Sequence, residues 1–474
     1  MNWIMDKTPK KIKTYVRDAL ADAPMRTAVS NAAETSKDSR DKQAARIPYW
    51  ELVRQKVRSF KKDVLEHLDE YLVQFESNCQ ANGIKVHWAR DAESAREIVG
   101  KIAKDCGAKT VVKSKSLTTE EIDLNSYLAE NGVDPVETDL GEYIVQLLGQ
   151  IPSHLVAPAL HLSRQDIGRL FADKLGEEYT EDPGELTEIA RVHLREKFLT
   201  ADMGISGANF GIAESGCVCV VENECNARLT ISLPKVHVAV MGIEKLIPNL
   251  AALPYFLKLL PVSATGQRAS SYVNIIGGPG REGAGEGPQE VHVVLLDNGR
   301  SKILGDAQLR ETLMCMRCGA CLNTCPVYRE IGGHAYGWVY MGPIGSALIP
   351  QFLGEKEGCY APSLSTLCGA CHEICPLEIN IPRHLLKLRN KVVLAKRSGF
   401  FERIGIKLWA FAAARPRLYR FVTWFPGKLQ MLLPGKRAFA APGYTGRRAI
   451  GRFDSKGFAK RFRAMERKRN IKNG

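Results

Sequence analysis

Seven of the chain's thirteen cysteines fall in two runs whose spacing suits metal ligation. The first is Cys315-x2-Cys318-x2-Cys321-x3-Cys325-Pro326, and the second is Cys368-x2-Cys371-x3-Cys375-Pro376. Iron–sulfur clusters are held by thiolates, and the first run has the bacterial ferredoxin spacing. Two-residue gaps let three thiolates converge on one cubane, while the three-residue gap and the proline turn the fourth toward the other cluster. The expected sets are Cys315, Cys318, Cys321 and Cys375 around cluster 1, and Cys325, Cys368 and Cys371 around cluster 2. Structural zinc sites also use C-x2-C pairs, but three cysteines in a row, with C-x3-C-P occurring twice, is not a zinc-ribbon spacing.

Both clusters are expected to be [4Fe–4S], with one irregularity. Where the second run should repeat Cys315, the chain has Ser365. Four explanations compete: a [3Fe–4S] cluster 2, the Ser365 oxygen as ligand, Cys359 as ligand, or an exogenous ligand. The 42 residues between Cys325 and Cys368 exceed the short spacer of a small ferredoxin and predict helices wrapped around the clusters.

Other residue patterns carry less. Cys217 and Cys219 would share one face of a strand, so with Cys225 a further metal site is conceivable. Small buried residues at a strand–turn–strand is the preferred reading, because free cysteine packs as a small apolar group. Cys79 and Cys106 read as packing residues on helical stretches. KSKSLTTEEI (113–122) offers a loop opening a helix, where an anion could meet Lys113 or Lys115, against the default of a solvated loop. His154, His237 and His292 adjoin apolar strands and read as core histidines. GGPGREGAGEG (277–287) leads into a strand rather than out of one, so it reads as a surface loop and not a dinucleotide fingerprint.

The elements that position these residues can be read from periodicity. Apolar residues recur at helical spacing over 49–82, from Leu52 to Phe75. IKVHWA, TVVKS and PVETD then alternate with helical stretches, and the pattern continues through SHLVAPAL, FGIAESGCVCVVEN, KVHVAVMGIEKL and EVHVVLLDN. Such alternation predicts a mostly parallel sheet covered on both faces. The division expected is a polar, loosely held helical arm (1–48), an α/β domain (49–305), a helical two-cluster ferredoxin domain (306–392) and a basic aromatic extension (393–474).

Charge is unevenly divided. Residues 391–474 hold 22 Lys and Arg against three acidic residues, a net +19, which leaves −5 for the rest of the chain's +14. With Trp409, Phe411, Tyr419, Phe421, Trp424 and Phe425 interleaved, that tail suits an anionic membrane face or a partner subunit. No reader motif accompanies the charge, so nucleic acid is not expected. The first residues lack the pattern of a signal peptide, no apolar run reaches the roughly 18 residues of a spanning helix, and the cysteines suit a reducing compartment. The expected location is cytoplasmic, with membrane association at the inner face allowed by the tail.

KSKSLTTEEI, ETDLGEYIVQL, PSHLVAPA, GISGANFGIAESG, HVAVMGIEKL, HVVLLDNGRSKIL and CPVYREIGGHAYGWVYMGPIGSAL together resemble the LutB (LldF) family, iron–sulfur subunits of bacterial lactate utilization. The resemblance runs from about residue 60 to about 395. It implies a LUD domain with a fold similar to the NagB/RpiA/CoA-transferase group, a helical two-cluster ferredoxin domain and a LutB-type C-terminal extension. It also implies a role beside a LutA-like cysteine-rich subunit and a LutC-like LUD subunit in oxidising L-lactate to pyruvate, as an electron-transfer rather than a catalytic subunit. The family's seven ligands carry over onto the seven motif cysteines. Cys217, Cys219 and Cys225 depart from the family pattern, and residues past about 436 match it loosely. The rival readings are a ligand-binding scaffold with structural clusters, and the same redox role for another 2-hydroxy acid.

Overall fold

The computed structural model describes residues 9–280, 287–397, 400–429, 438–439, 450–451 and 461–466. Ten strands precede the cysteine motifs: β1 (Lys85–Ala89), β2 (Thr110–Lys113), β3 (Asp134–Glu137), β4 (Met203–Gly207), β5 (Phe210–Ile212), β6 (Cys217–Glu222), β7 (Val236–Gly242), β8 (Leu246–Ile247), β9 (Tyr272–Ile276) and β10 (Glu290–Leu296). Six of them form an all-parallel sheet in the order β1-β10-β7-β4-β2-β3. Every residue of β7 is buried, as is all of β10 after Glu290. Burial on both faces is why these strands read as unbroken apolar runs instead of alternating ones. A second, four-stranded sheet, β8-β5-β6-β9, contains antiparallel pairs and was not separable from the first by periodicity alone.

The helical stretch at 49–82 is two helices, Trp50–Glu66 and Leu68–Ala81, which meet at His67. SHLVAPAL is not a strand. The Ser153 amide and hydroxyl both donate to the Pro158 carbonyl (2.9 Å each), and His154 Nδ1 accepts from the amides of Val156 and Ala157 (3.1 Å each). A loop whose polar groups are satisfied internally has none left for a ladder. The Gly-rich 277–287 stretch lies partly outside the described residues.

The amino-terminal arm is helical but tightly packed, contrary to expectation. Helices Pro9–Ala21 and Ala23–Ala45 precede Trp50–Glu66, and Val29 and Ala33 are fully buried. The helix Ala23–Ala45 buries small residues, so its mean hydropathy stays low while its backbone sits close to its neighbours. A Cβ on Gly266 would lie 2.4 Å from the Ser39 backbone, and the φ of +73° there already suits glycine. After residue 305 the chain forms short helices around the motifs, and the helix Gly342–Phe352 is buried from Gly342 to Pro350. One continuous apolar core joins the amino-terminal helices, the second sheet and the cysteine region.

Met1–Ala395 form one compact unit and Lys396–Gly474 a second. In the second, helices Phe400–Ala413 and Pro416–Leu429 leave Trp409 66% and Trp424 51% exposed. Among the described residues no helix is long and apolar enough to cross a membrane.

Candidate metal centre

The two motifs build the same local structure from similar residues. In the first, Arg317 (φ 62°) and Gly319 (φ 77°) are left-handed, and in the second Leu367 (φ 57°) and Gly369 (φ 94°) take their places. A left-handed non-glycine residue costs on the order of 1–3 kcal/mol. The curl aims an amide at the side chain two residues back: Arg317 N–H lies 3.4 Å from Cys315 Sγ, and Leu367 N–H lies 3.1 Å from Ser365 Oγ. Ser365 therefore occupies the Cys315 slot in structure as well as in spacing. Cys359 is half-buried after the short helix Gly354–Glu357.

Cys315, Cys318, Cys321 and Cys375 line one small cavity, with Ile344, Leu377, Ile379 and Ile381 as apolar wall. Cys325 leaves that group. Its sulfur caps the helix Pro326–Ile331 by accepting from Tyr328 N–H at 3.5 Å, with Pro326 in the first turn where its missing N–H is harmless. Cys325, Cys368 and Cys371 are electrostatic neighbours: burial pushes the Cys371 thiol up to about 12, with Cys325 and Cys368 adding to the shift. Cys318, Cys321, Cys325, Cys371 and Cys375 are buried, whereas Cys368 is exposed. Cys368 is thus the exposed member of the second group, and Cys315, half-buried, is the most accessible of the first.

The donor set fits iron–sulfur clusters. Burial raises the thiols of Cys318, Cys321 and Cys375, so a bare thiolate is disfavoured there and bound metal must supply the compensating charge. Backbone amides also donate to sulfur, Arg317 to Cys315 (3.4 Å) and Tyr328 to Cys325 (3.5 Å). Such bonds tune cluster potentials. Three arginines hold the second C-P turn by its carbonyls, Arg40 on Ile374 (3.3 Å), Arg54 on Cys375 (2.7 Å) and Arg58 on Leu377 (2.5 Å). They come from the amino-terminal helices, and nothing in the local sequence signals this role.

The remaining candidates separate clearly. Lys113 is fully buried and ion-paired with Glu137 (2.5 Å) and Glu120 (2.9 Å), so it is not an anion ligand. Lys115 lies on the wall of a cavity of about 250 Å³, with Lys245 and Arg317, and donates to the Val156 carbonyl. Cys217 and Cys219 face the same apolar core, while Val218 and Val220 face another. No trio of His, Cys, Asp or Glu among the described residues gathers to hold a single metal ion, Cys225 included. Cys79 is buried and Cys106 exposed. His154 bonds Asn323 (3.2 Å), His237 bonds Ser206 (2.9 Å) and His292 bonds His87 (3.0 Å). Burial lowers all three, His154 to about 4 and His237 to about 3, so they stay neutral.

A LUD domain matches residues 72–296 and a 4Fe-4S dicluster domain matches residues 311–379. Proteins named lactate utilization protein B from Bacillus cytotoxicus, Bacillus cereus and Bacillus thuringiensis are each 43% identical over 419 residues, covering 88% of both chains. The chain belongs to the lactate utilization protein B family. In this family member the α/β portion is the LUD domain, and the helical portion after it carries two iron–sulfur clusters. A solved DUF162 family protein from Deinococcus radiodurans covers 48% of this chain and 98% of its own, at 15% identity and a TM-score of 0.27, too low to carry an argument.

A buried charge cluster beside the first cavity escaped the sequence reading. Arg300 binds Glu121 (2.8 Å) and Glu244 (2.5 Å), and the Tyr340 hydroxyl donates to Glu121 (2.6 Å). Burial alone would raise Glu244, but Arg300, Lys245 and Arg317 around it hold it down at about 2. The one sequence signal was Arg317 itself, a cation placed between two cluster cysteines.

Proposed function

We propose that this chain is the electron-transfer subunit of a complex oxidising L-lactate to pyruvate, working with a LutA-like cysteine-rich subunit and a LutC-like LUD subunit in the cytoplasm. The carrying observation is the paired arrangement: four thiols that line one small cavity, and a second group, reached through Cys325, that opens at exposed Cys368. The name shared by its relatives supports lactate as the fuel. Cys315, Cys318, Cys321 and Cys375 hold cluster 1, and Cys325, Cys368 and Cys371 hold cluster 2, with Ser365 as its fourth ligand. When bound, the clusters supply one-electron redox chemistry. The chain's own contribution is to exclude water with Ile344, Leu377 and Ile379, to aim amides at sulfur, and to place cationic Arg317 beside an anionic centre.

Replacing Cys325 by Ala tests this reading, because Cys325 belongs by spacing to the first motif and, in this reading, to the cluster held by Cys368 and Cys371. The variant is expected to lose the cluster 2 electron paramagnetic resonance signal, keep that of cluster 1, and still bind its partners in pull-down. Lactate-dependent reduction of the downstream acceptor should then fall to background. Full turnover by an assembled complex lacking cluster 2 would remove electron transfer from its role.

A further inference from the structure

A cavity of about 380 Å³ lies at the carboxyl end of β3, separate from the cysteine-lined cavity and from the one that holds Lys245. Its wall carries five carboxyl groups, Glu120, Glu121, Asp123, Glu137 and Glu142, against one cation, Arg96. Several of these charges are already matched. Arg300 and Tyr340 satisfy Glu121, and Lys113 holds one oxygen each of Glu137 and Glu120. Arg96 donates to the Ile122 carbonyl (3.1 Å) and not to a carboxylate.

Glu142 is the exception. It sits in the first turn of the helix Leu140–Leu148, is 3% exposed, and has no hydrogen-bond or ion-pair partner on either carboxyl oxygen. Only Oε1 is sealed into the wall, which leaves Oε2 to meet the cavity. Buried carboxyl groups without a partner are uncommon in native proteins, because their desolvation is costly. Burial pushes this carboxyl well up, with Glu137, Glu120 and Asp139 adding to the shift and Lys113 opposing it, so without a counter-ion it keeps its proton. A second acceptor faces the same space: Asp123 gives Oδ1 to the Ser126 hydroxyl (2.7 Å) and has Oδ2 to spare. Among the described residues no three of His, Cys, Asp and Glu gather closely enough to hold one metal ion. The carboxyl groups therefore ring the cavity and do not converge, which suits a cation whose charges are themselves separated. Between them the wall is apolar, with Val145, Ile151, Trp338 and Val339.

We propose that this cavity binds a short aliphatic diamine, with one ammonium on Glu142 and the other at Asp123 and Glu120. On binding, the Glu142 carboxyl gives its proton to solvent and becomes the anion that the ammonium faces. Affinity then rises with pH for as long as the amine stays charged. The inference stands apart from the electron-carrier reading, because it concerns neither cysteine group and its test reads binding alone.

Calorimetry on the anaerobically loaded full chain, in buffers of different ionisation enthalpy, would use putrescine, butylamine and magnesium chloride as probes. One putrescine per chain is expected, bound roughly tenfold more tightly than butylamine, with proton release on binding. Glu142→Gln keeps the size and the neutral form of the side chain, so iron and acid-labile sulfide should match the parent. Its putrescine affinity should fall roughly tenfold or more, and the proton release should vanish. Asp123→Asn, which suits the left-handed φ of 51° at that position, should bring putrescine down to the level of butylamine. No saturable putrescine binding to fully loaded wild-type protein overturns the proposal, as does binding that Glu142→Gln leaves unchanged. Butylamine binding as tightly as putrescine overturns the second ammonium site, and magnesium displacing putrescine at lower concentration overturns the organic cation.

Discussion

Ser365 and Cys315 have the same neighbours by number and by shape: a left-handed residue two on, a left-handed glycine four on, and an amide aimed back at the side-chain heteroatom. The difference between them is one atom, oxygen for sulfur, and that atom decides how much charge reaches iron. A thiolate brings a negative charge that a neutral serine hydroxyl lacks, so Ser365→Cys is expected to give cluster 2 a fourth thiolate and lower its potential. A spectroelectrochemical titration of variant and parent checks it. Identical potentials and spectra for both clusters would place Ser365 outside the coordination sphere. The same scale explains why the histidines the sequence singles out are not the reactive groups: buried and hydrogen-bonded, His237 is held neutral and turned to packing.

At the scale of elements, the amino-terminal helices hold the cluster region together from a distance in sequence of more than 300 residues. Arg54 is 8% exposed and donates to the Cys375 carbonyl at 2.7 Å, fixing the turn that carries this motif cysteine. Arg54→Met keeps the apolar stem but strands that buried carbonyl, at a cost of about 1–3 kcal/mol. Two measurements follow: the urea midpoint of the loaded protein should drop, and iron should leave faster in the presence of a chelator. If iron release keeps its wild-type rate, the helix Trp50–Glu66 merely adjoins the site. The loop 153–160 has a comparable task, since Tyr328 of the first motif's helix donates to the Ser153 carbonyl at 2.7 Å and His154 bonds Asn323.

For the whole molecule, the unit Lys396–Gly474 differs from the rest in charge and in surface. Its two described long helices expose Trp409, Phe411, Phe421, Trp424 and Phe425, within a segment that is strongly cationic. Aromatic and basic side chains on the same helices suit the boundary of an anionic bilayer. The intact chain is therefore expected to float with phosphatidylserine vesicles at low salt and to release as ionic strength rises, because the Debye length falls to about 8 Å at physiological salt. A chain ending at Ala395 should stay in the soluble fraction with both clusters intact. Equal flotation of the two forms would take the tail out of membrane association and leave a partner subunit as its counterpart.

The legible part of this protein is the part written in local patterns. Cysteine spacing named the clusters because thiolate geometry is set by a few consecutive residues, and β7 and β10 were visible because apolar runs report burial directly. The proximity of Cys375 to Cys315, Cys318 and Cys321 was foreseeable from the same spacing logic, and the shared cavity shows them together. Contacts between distant segments left no such trace. The helix Ala23–Ala45 looked like a solvated arm because close packing through alanine needs little hydrophobicity. Lys113 looked available until Glu137 and Glu120 closed around it. The pocket of Lys245, Ser114 and Arg317 gathers three residues from three separate strand ends and loops, and only the chain's path through the sheet brings them to one place. Spacing along the chain specifies what a short segment can ligate; which charges are left unpaired in the core is decided by long-range packing, where each buried group finds a partner or does not.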